Sequence, residues 1–256
     1  MTFEYVSVTE AMKRSGLRMV VMSNIPSPWT EAAKGMLQMK GIEWAAVRLD
    51  YQNDSLVKWA GQRSAPVAFY NDEPPRSGWE EILTLVERLA ASPRLLPEDP
   101  ANRKLALEFA KDFCGEGGLG WSRRLQLVHT GLQNAGGFPV PVAKYLAKKY
   151  GYTPEAGAAS TSRVLDLLRK FSTQLKSQRR AGSSYYVGNS PTAVDIYSAT
   201  FLAMFKPLPA AECKMDEVTR AVFESRDMQT DSGLDAVLFE HREMMYGSHL
   251  ESPLAL

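Results

Sequence analysis

Cysteine is nearly missing: Cys114 and Cys213 are the only two in 256 residues, and neither sits in a CxxC pair or at zinc-ligand spacing. Two isolated thiols cannot build a disulfide framework, which points to a reducing, cytoplasmic setting. Histidine is as sparse, with His129, His241 and His249 in no HxxxH or HExxH arrangement, so no metal centre is expected. Charge of one sign is lacking too. Thirty Lys and Arg against 29 Asp and Glu leave a formal net charge of +1, a balance that gives a polyanion no global field and argues against nucleic acid as a partner. No apolar run approaches the roughly 20 residues that cross a bilayer, and the longest, such as Met19 to Met22, are strand-sized, so no membrane association is expected. The opening stretch MTFEYVSVTEAMKRSG carries Glu4 and Glu10 where a secretory signal needs apolar residues; it reads as a short extension before the first strand. With no secretory route, Asn53-Asp54-Ser55 reads as a turn and not as a glycosylation acceptor.

What is present suits a folded chain. A hydrophobic share of 45% with 23% charged residues allows one large domain or two small ones, each with a core of its own. The first third alternates strand and helix signals. Leu17 to Ser23 is a short apolar run closed by Pro26-Ser27-Pro28 and reads as a buried strand. PWTEAAKGMLQMKGI then places Pro28 and Glu31 in a first helical turn, with Ala32, Met36, Leu37 and Met39 at helical spacing and Lys40-Gly41 as the stop. Ile42 to Leu49 and Ala65 to Tyr70 are further strands, and Trp79 to Ala91 shows the apolar stripe Ile82, Leu83, Leu85, Val86, Leu89 of another helix.

Ser92 to Asn102, with three prolines between two helical patterns, is the best domain boundary. Beyond it the pattern is helical: 103–113, 121–133, 140–150, 155–180, 192–205, 217–224 and 234–245. Lys170, Lys176, Arg179 and Arg180 read as a solvated face near a helix C-terminus.

Four features carry candidate chemistry. Gly115 to Gly120 spells GxGxxG, but a helical segment precedes it and no parallel strand follows, so it reads as a break between helices. Ser27 lies where a strand-to-helix turn meets a helix N-terminus; its hydroxyl either caps the helix or donates to a bound anion or thiolate. Pro66 stands at the start of an apparent central strand, either as an ordinary trans residue or after a cis bond that opens the backbone of Val67 to a ligand. Thr192 and Asp195 in GNSPTAVD form a capping arrangement ahead of the apolar IYSATFLAMF, with a structural role.

Together these residues resemble the cytosolic glutathione transferases: a thioredoxin-like N-terminal domain (17–91), a proline-bearing linker (92–102) and an all-α C-terminal domain (103–256). IPSPWTEAAKGMLQMKGI looks like the first helix of the tau and omega classes, LLPEDPANRKLAL like the family linker, and GNSPTAVDI like its capping motif. The resemblance implies glutathione as co-substrate, with Ser27 donating a hydrogen bond to its sulfur so that more thiolate exists at neutral pH. Trp29, Ala65, Pro66, Val67 and the stretch Arg76-Ser77-Gly78-Trp79 would surround the tripeptide. Phe113, Trp121 and Leu125 would either wall an apolar electrophile pocket or pack in the core. A homodimer is implied as well. Serine in place of the omega-class cysteine disfavours chemistry through a mixed disulfide on the enzyme.

The sequence departs from the family at the γ-glutamyl end, where Glu-Ser or Gln-Ser is usual. Aligning on Ile82 puts Gly78 and Trp79 on that pair. Aligning on the serine, which is preferred, puts Arg76 and Ser77 there, with Ser77 and Glu80 as a capping box. Both leave the acidic residue out, and Arg76 would repel an ammonium while welcoming a carboxylate. The alternative function is therefore a non-catalytic binding or scaffold protein of this fold with altered ligand preference. The segment from Cys114 to Tyr152, rich in glycine and carrying FPVPV, offers either a lid or a dimer contact.

Overall fold

A computed structural model describes residues 3–256; Met1 and Thr2 of the expected extension lie outside the described residues. The rest of that extension is part of the sheet. Phe3–Tyr5 forms strand β1, followed by helix α1 (Val8–Lys13), β2 (Leu17–Val21), α2 (Pro28–Met39), β3 (Trp44–Arg48), α3 (Asp54–Ala60), β4 (Val67–Tyr70) and α4 (Trp79–Leu89). The strand order is β1-β3-β2-β4, with β1 and β2 parallel to β3 and β4 antiparallel to β2, a thioredoxin-like sheet. β1 earns its place as an edge strand through Phe3, which stacks on Trp44 with ring centres 4.4 Å apart. The α/β layer thus starts at Phe3 and not at Leu17.

The central strand β2 is buried at all five positions, as expected for a strand covered on both faces. On one face Met19, Ala32, Met36 and Leu37 join the main core. On the other, Val20, Val47, Leu56 and Phe69 close a smaller cluster over α1 and α3. Asn53, expected in a turn, is the N-cap of α3; its side chain accepts from the Leu56 amide at 3.0 Å, and Leu56 is fully buried.

The helical part comprises α5 (Pro100–Cys114), α6 (Leu119–Leu132), α7 (Val140–Lys149), α8 (Pro154–Arg180), α9 (Ala193–Phe201) with a 3-10 turn Leu202–Met204, α10 (Glu217–Glu224), α11 (Met228–Gly233) and α12 (Ala236–Ser248). The expected helix 192–205 is therefore shorter, its last turn tightening to 3-10. α11 shows no apolar period in the sequence; the Asp227 side chain caps it by accepting from the Thr230 amide. Between α4 and α5, Leu95 and Leu96 are buried, and the Leu95 carbonyl accepts from the Ala193 amide at 2.8 Å.

The two layers share one core. α2 lies against α9 so closely that a Cβ on Gly35 would stand 2.8 Å from Leu250 and 3.1 Å from Ile196. No helix is long and apolar enough to cross a membrane among the described residues.

Candidate functional site

Ser27 sits at the N-cap of α2 with extended backbone and Pro28 after it, the geometry of a helix start, yet its hydroxyl makes no capping bond. Its carbonyl accepts from the Glu31 amide at 2.8 Å, so the helix begins properly without the side chain. The residue is 7% exposed and lines a cavity of about 690 Å3. A buried hydroxyl at a helix N-terminus, free of local bonds, can donate to a group in that cavity.

Trp29, two positions on, fixes this turn to the helical layer. Its Nε1 donates to the Cys114 carbonyl at 3.1 Å, and its ring meets Phe201 edge-on with centres 4.9 Å apart. Gly120 makes room for both rings: a Cβ there would lie 2.5 Å from Phe201 and 2.8 Å from Trp29. The glycine-rich stretch is thus a four-residue break between α5 and α6, followed in the first turn of α6 by Gly120, which admits aromatic packing.

The Ala65-Pro66 peptide is cis, and Ala65 lines the same cavity as Ser27 and Trp29. Val67, 1% exposed, starts β4 opposite Val20. Pro66, Ser77, Trp79 and Trp29 surround a much smaller space of about 10 Å3, while Ser77 and Gly78 themselves are exposed. Arg76 pairs through its backbone with Ala68, and its guanidinium lies 2.5 Å from Glu73, which also binds Arg88 at 2.7 Å. Arg88 and Arg76 hold the Glu73 carboxyl below its ordinary range. The charge of Arg76 is therefore matched by that of Glu73.

The helix start differs from the expected capping box as well. α4 begins one residue later than a Ser77 cap requires, with Gly78 at the N-cap, and Glu81 rather than Glu80 reaches back. The Glu81 carboxylate accepts from the amides of Ser77 at 3.1 Å and Gly78 at 3.2 Å. These contacts lower its pKa.

Of the three residues considered for the electrophile wall, none lines the cavity. Phe113 stacks on Phe171 at 3.8 Å in the core, Trp121 meets Tyr150 edge-on at 4.8 Å, and Leu125 is 9% exposed. On α6 it is Arg124 that lines the cavity, one position from Leu125. The cavity is lined by Phe138, Val142, Tyr145 and Leu146 around α7, by Val222 and Phe223 on α10, and by Met22 and Tyr51 in the α/β layer. Tyr51 and Tyr145 face each other across the layers, ring centres 6.5 Å apart. Sequence reasoning missed Arg124, Tyr51 and Tyr145; the one visible hint was the irregular FPVPV segment that begins α7.

Thr192 and Asp195 lie away from this cavity. Asp195, fully buried, accepts from Thr192 N at 2.7 Å, Thr192 Oγ1 at 2.9 Å and Tyr186 N at 2.9 Å, and His241 Nε2 lies 2.9 Å from it. It ties the start of α9 to α12. Burial pushes the Cys114 thiol well up, so it is no nucleophile at neutral pH. Among the described residues no group of three or more His, Cys, Asp and Glu is disposed to hold a metal.

No protein-family model and no curated protein sequence matches this chain. Solved structures do. It is similar to a glutathione S-transferase from Methylobacillus flagellatus KT with glutathione bound, at 12% identity and TM-score 0.63, over 90% of this chain and 95% of that one. It is similar to a glutathione transferase family member from Pseudomonas fluorescens Pf-5 with two glutathiones bound, at 14% identity and TM-score 0.56, over 92% and 97%. A tau-class enzyme from mango, Mangifera indica, aligns at 20% identity and TM-score 0.51 over 90% and 96%. Full-length agreement with these structures, on a thioredoxin-like sheet followed by a helical layer, shows that the chain has the glutathione S-transferase fold.

Proposed function

We propose that the protein is a glutathione transferase in which Ser27 activates the thiol of glutathione for attack on an apolar electrophile. The observation that carries this reading is the Ser27 hydroxyl: placed at a helix N-terminus, bordering a cavity of about 690 Å3, and released from capping. A hydroxyl in that position stabilises a thiolate by hydrogen bonding, aided by the helix dipole, and so lowers the thiol pKa. The sulfur then attacks the electrophilic carbon as the leaving group departs, and the enzyme forms no covalent bond. Glutathione bound in several structures of the same fold supports the tripeptide as co-substrate. In this reading residues 17–91 with β1 bind glutathione through Trp29, Ala65, Pro66, Val67 and the Arg76 to Trp79 stretch, 92–102 connect, and 103–256 supply the co-substrate wall. The active form would be a cytoplasmic homodimer.

A second reading is favoured by Glu81. Its carboxylate already holds the Ser77 and Gly78 amides, the donors that an incoming α-carboxylate would need. The fold would then serve as a binding protein with altered ligand preference. Calorimetry with glutathione decides between them. Binding at millimolar ligand, with the thiol of the complex ionising below its solution value by ultraviolet titration, supports the transferase; no heat of binding overturns it.

A further inference from the structure

We infer that the large cavity is built to hold an apolar carboxylic acid, with Arg124 taking the carboxylate. The reasoning starts from a comparison of two neighbours on α6. Arg123 is 1% exposed and its guanidinium is fully used, donating to the carbonyls of Met204 at 3.1 Å, Phe223 at 3.3 Å and Ser225 at 2.6 Å, and to Gln126 Oε1 at 2.6 Å. Arg124 has no such set. Its Nε is buried without an acceptor, and its guanidinium lies over the rings of Phe138 and Phe223, 5.5 and 5.2 Å from their centres. Burial lowers its pKa; Tyr150, through a side-chain hydrogen bond, and Tyr51 act the other way, and no carboxylate is among the groups that favour its charge.

The cavity as a whole has the same bias. Arg124, Lys149 and Arg63 line it, and no Asp or Glu does. Arg63 is engaged, donating to the Tyr51 carbonyl and lying 3.5 Å from Asp54. Lys149 lies exposed at the rim of the same space. Arg124, whose Nε is buried without an acceptor and which faces this space without a counter-ion, carries a desolvation cost that a bound anion would offset. The rest of the lining selects what carries that anion. Of the large apolar side chains left exposed among the described residues, Met12, Tyr51, Val142, Tyr145, Val218 and Met228, four rim this cavity. A small inorganic anion would leave those four in water. A neutral apolar molecule would leave Arg124 without an anionic partner, and an amine would be repelled. An aromatic or aliphatic acid satisfies both demands, and about 690 Å3 lies within the usual range of ligand cavities, roughly 300 to 1,000 Å3.

This deepens the co-substrate side of the proposed reaction, but it is tested with no glutathione present, so either can fall alone. The test is calorimetry of the full chain at neutral pH with three probes of one shape: phenylbutanoate, phenylbutanol and phenylbutylamine. The acid should bind at least about tenfold more tightly than the alcohol, the span of a charge-assisted hydrogen bond, and the amine should not bind. In Arg124→Met, which keeps the stem and loses the charge, the acid should fall to the affinity of the alcohol while the alcohol is unchanged. Equal binding of acid and alcohol by the parent protein overturns the inference, and so does an undiminished acid preference in Arg124→Met. Should that variant not fold by circular dichroism, the parent comparison still decides, with Lys149→Met expected to weaken the acid alone.

Discussion

The indole Nε1 of Trp29 donates a 3.1 Å hydrogen bond to the carbonyl of Cys114, joining the first turn of α2 to the last residue of α5. One bond thus couples the loop that presents Ser27 to the helical layer that walls the cavity. Replacing Trp29 by Phe keeps an aromatic ring against Phe201 but removes the donor. It should cost about 1–3 kcal/mol in denaturant unfolding, the penalty of an unsatisfied buried acceptor. Gly120→Ala attacks the same contact from the other side, by placing a methyl group 2.8 Å from Trp29, and should cost a similar amount. Thermal melting of the two variants checks both; an unchanged Gly120→Ala would show that the turn around Trp29 yields freely.

Ser27→Ala separates a helix cap from a thiol activator. A capping serine costs roughly 0.5–2 kcal/mol when lost, but Ser27 makes no capping bond. Its replacement should leave stability within about 0.5 kcal/mol of the parent. The conjugation rate should fall by about 10- to 100-fold, with glutathione affinity nearly unchanged, because one donor to a developing anion is lost. Equal rates in variant and parent would move activation to another group.

Asp195 presents the opposite case, a polar residue whose whole role lies in the fold. It accepts from three groups of Thr192 and Tyr186 and lies against His241, at 0% exposure. Asp195→Ala should cost about 3–5 kcal/mol, since it strands several buried donors at once. Urea unfolding measures this, and a loss under about 1 kcal/mol would mean that water replaces the carboxylate.

Where a local signal sets an element, the sequence could be read. Pro28 at the start of α2 and the Thr192 to Asp195 cap of α9 act within one turn of themselves, whereas α5 starts at Pro100, inside the expected linker. β1 could not be read, because three residues carry no period and Phe3 is held by Trp44, about 40 positions away. α11 depends likewise on Thr230, which takes a 2.8 Å hydrogen bond from Gln126 on a distant helix. The helix start at Ser27 and the strand start at Pro66 were legible because their backbone demands are local. The cavity lining was not. Arg123 and Arg124 are adjacent and chemically identical, and only the tertiary fold gives carbonyls to one and an apolar space to the other.

Glu81 links the start of α4 to acidity. Its carboxyl is held below the ordinary value of 4.5 by the Gly78 and Ser77 amides, in that order. A carboxylate whose folded pKa is depressed stabilises the fold fully above its unfolded value, and that contribution drains away as pH falls through the lower, folded value. Stability should therefore drop more steeply in the parent than in Glu81→Gln as pH falls from about 6 to about 3, measured by urea unfolding at each pH. Parallel curves would mean that the amides give the carboxylate no preference for its charged form. The same carboxylate occupies the amides that the proposed glutathione site would use. Glu81→Ala frees the Ser77 and Gly78 amides at a cost of about 0.5–1 kcal/mol in helix stability. If the γ-glutamyl carboxylate of glutathione binds at these amides, its affinity must rise in that variant, because the internal competitor is gone. An unchanged affinity would place that end of the tripeptide elsewhere.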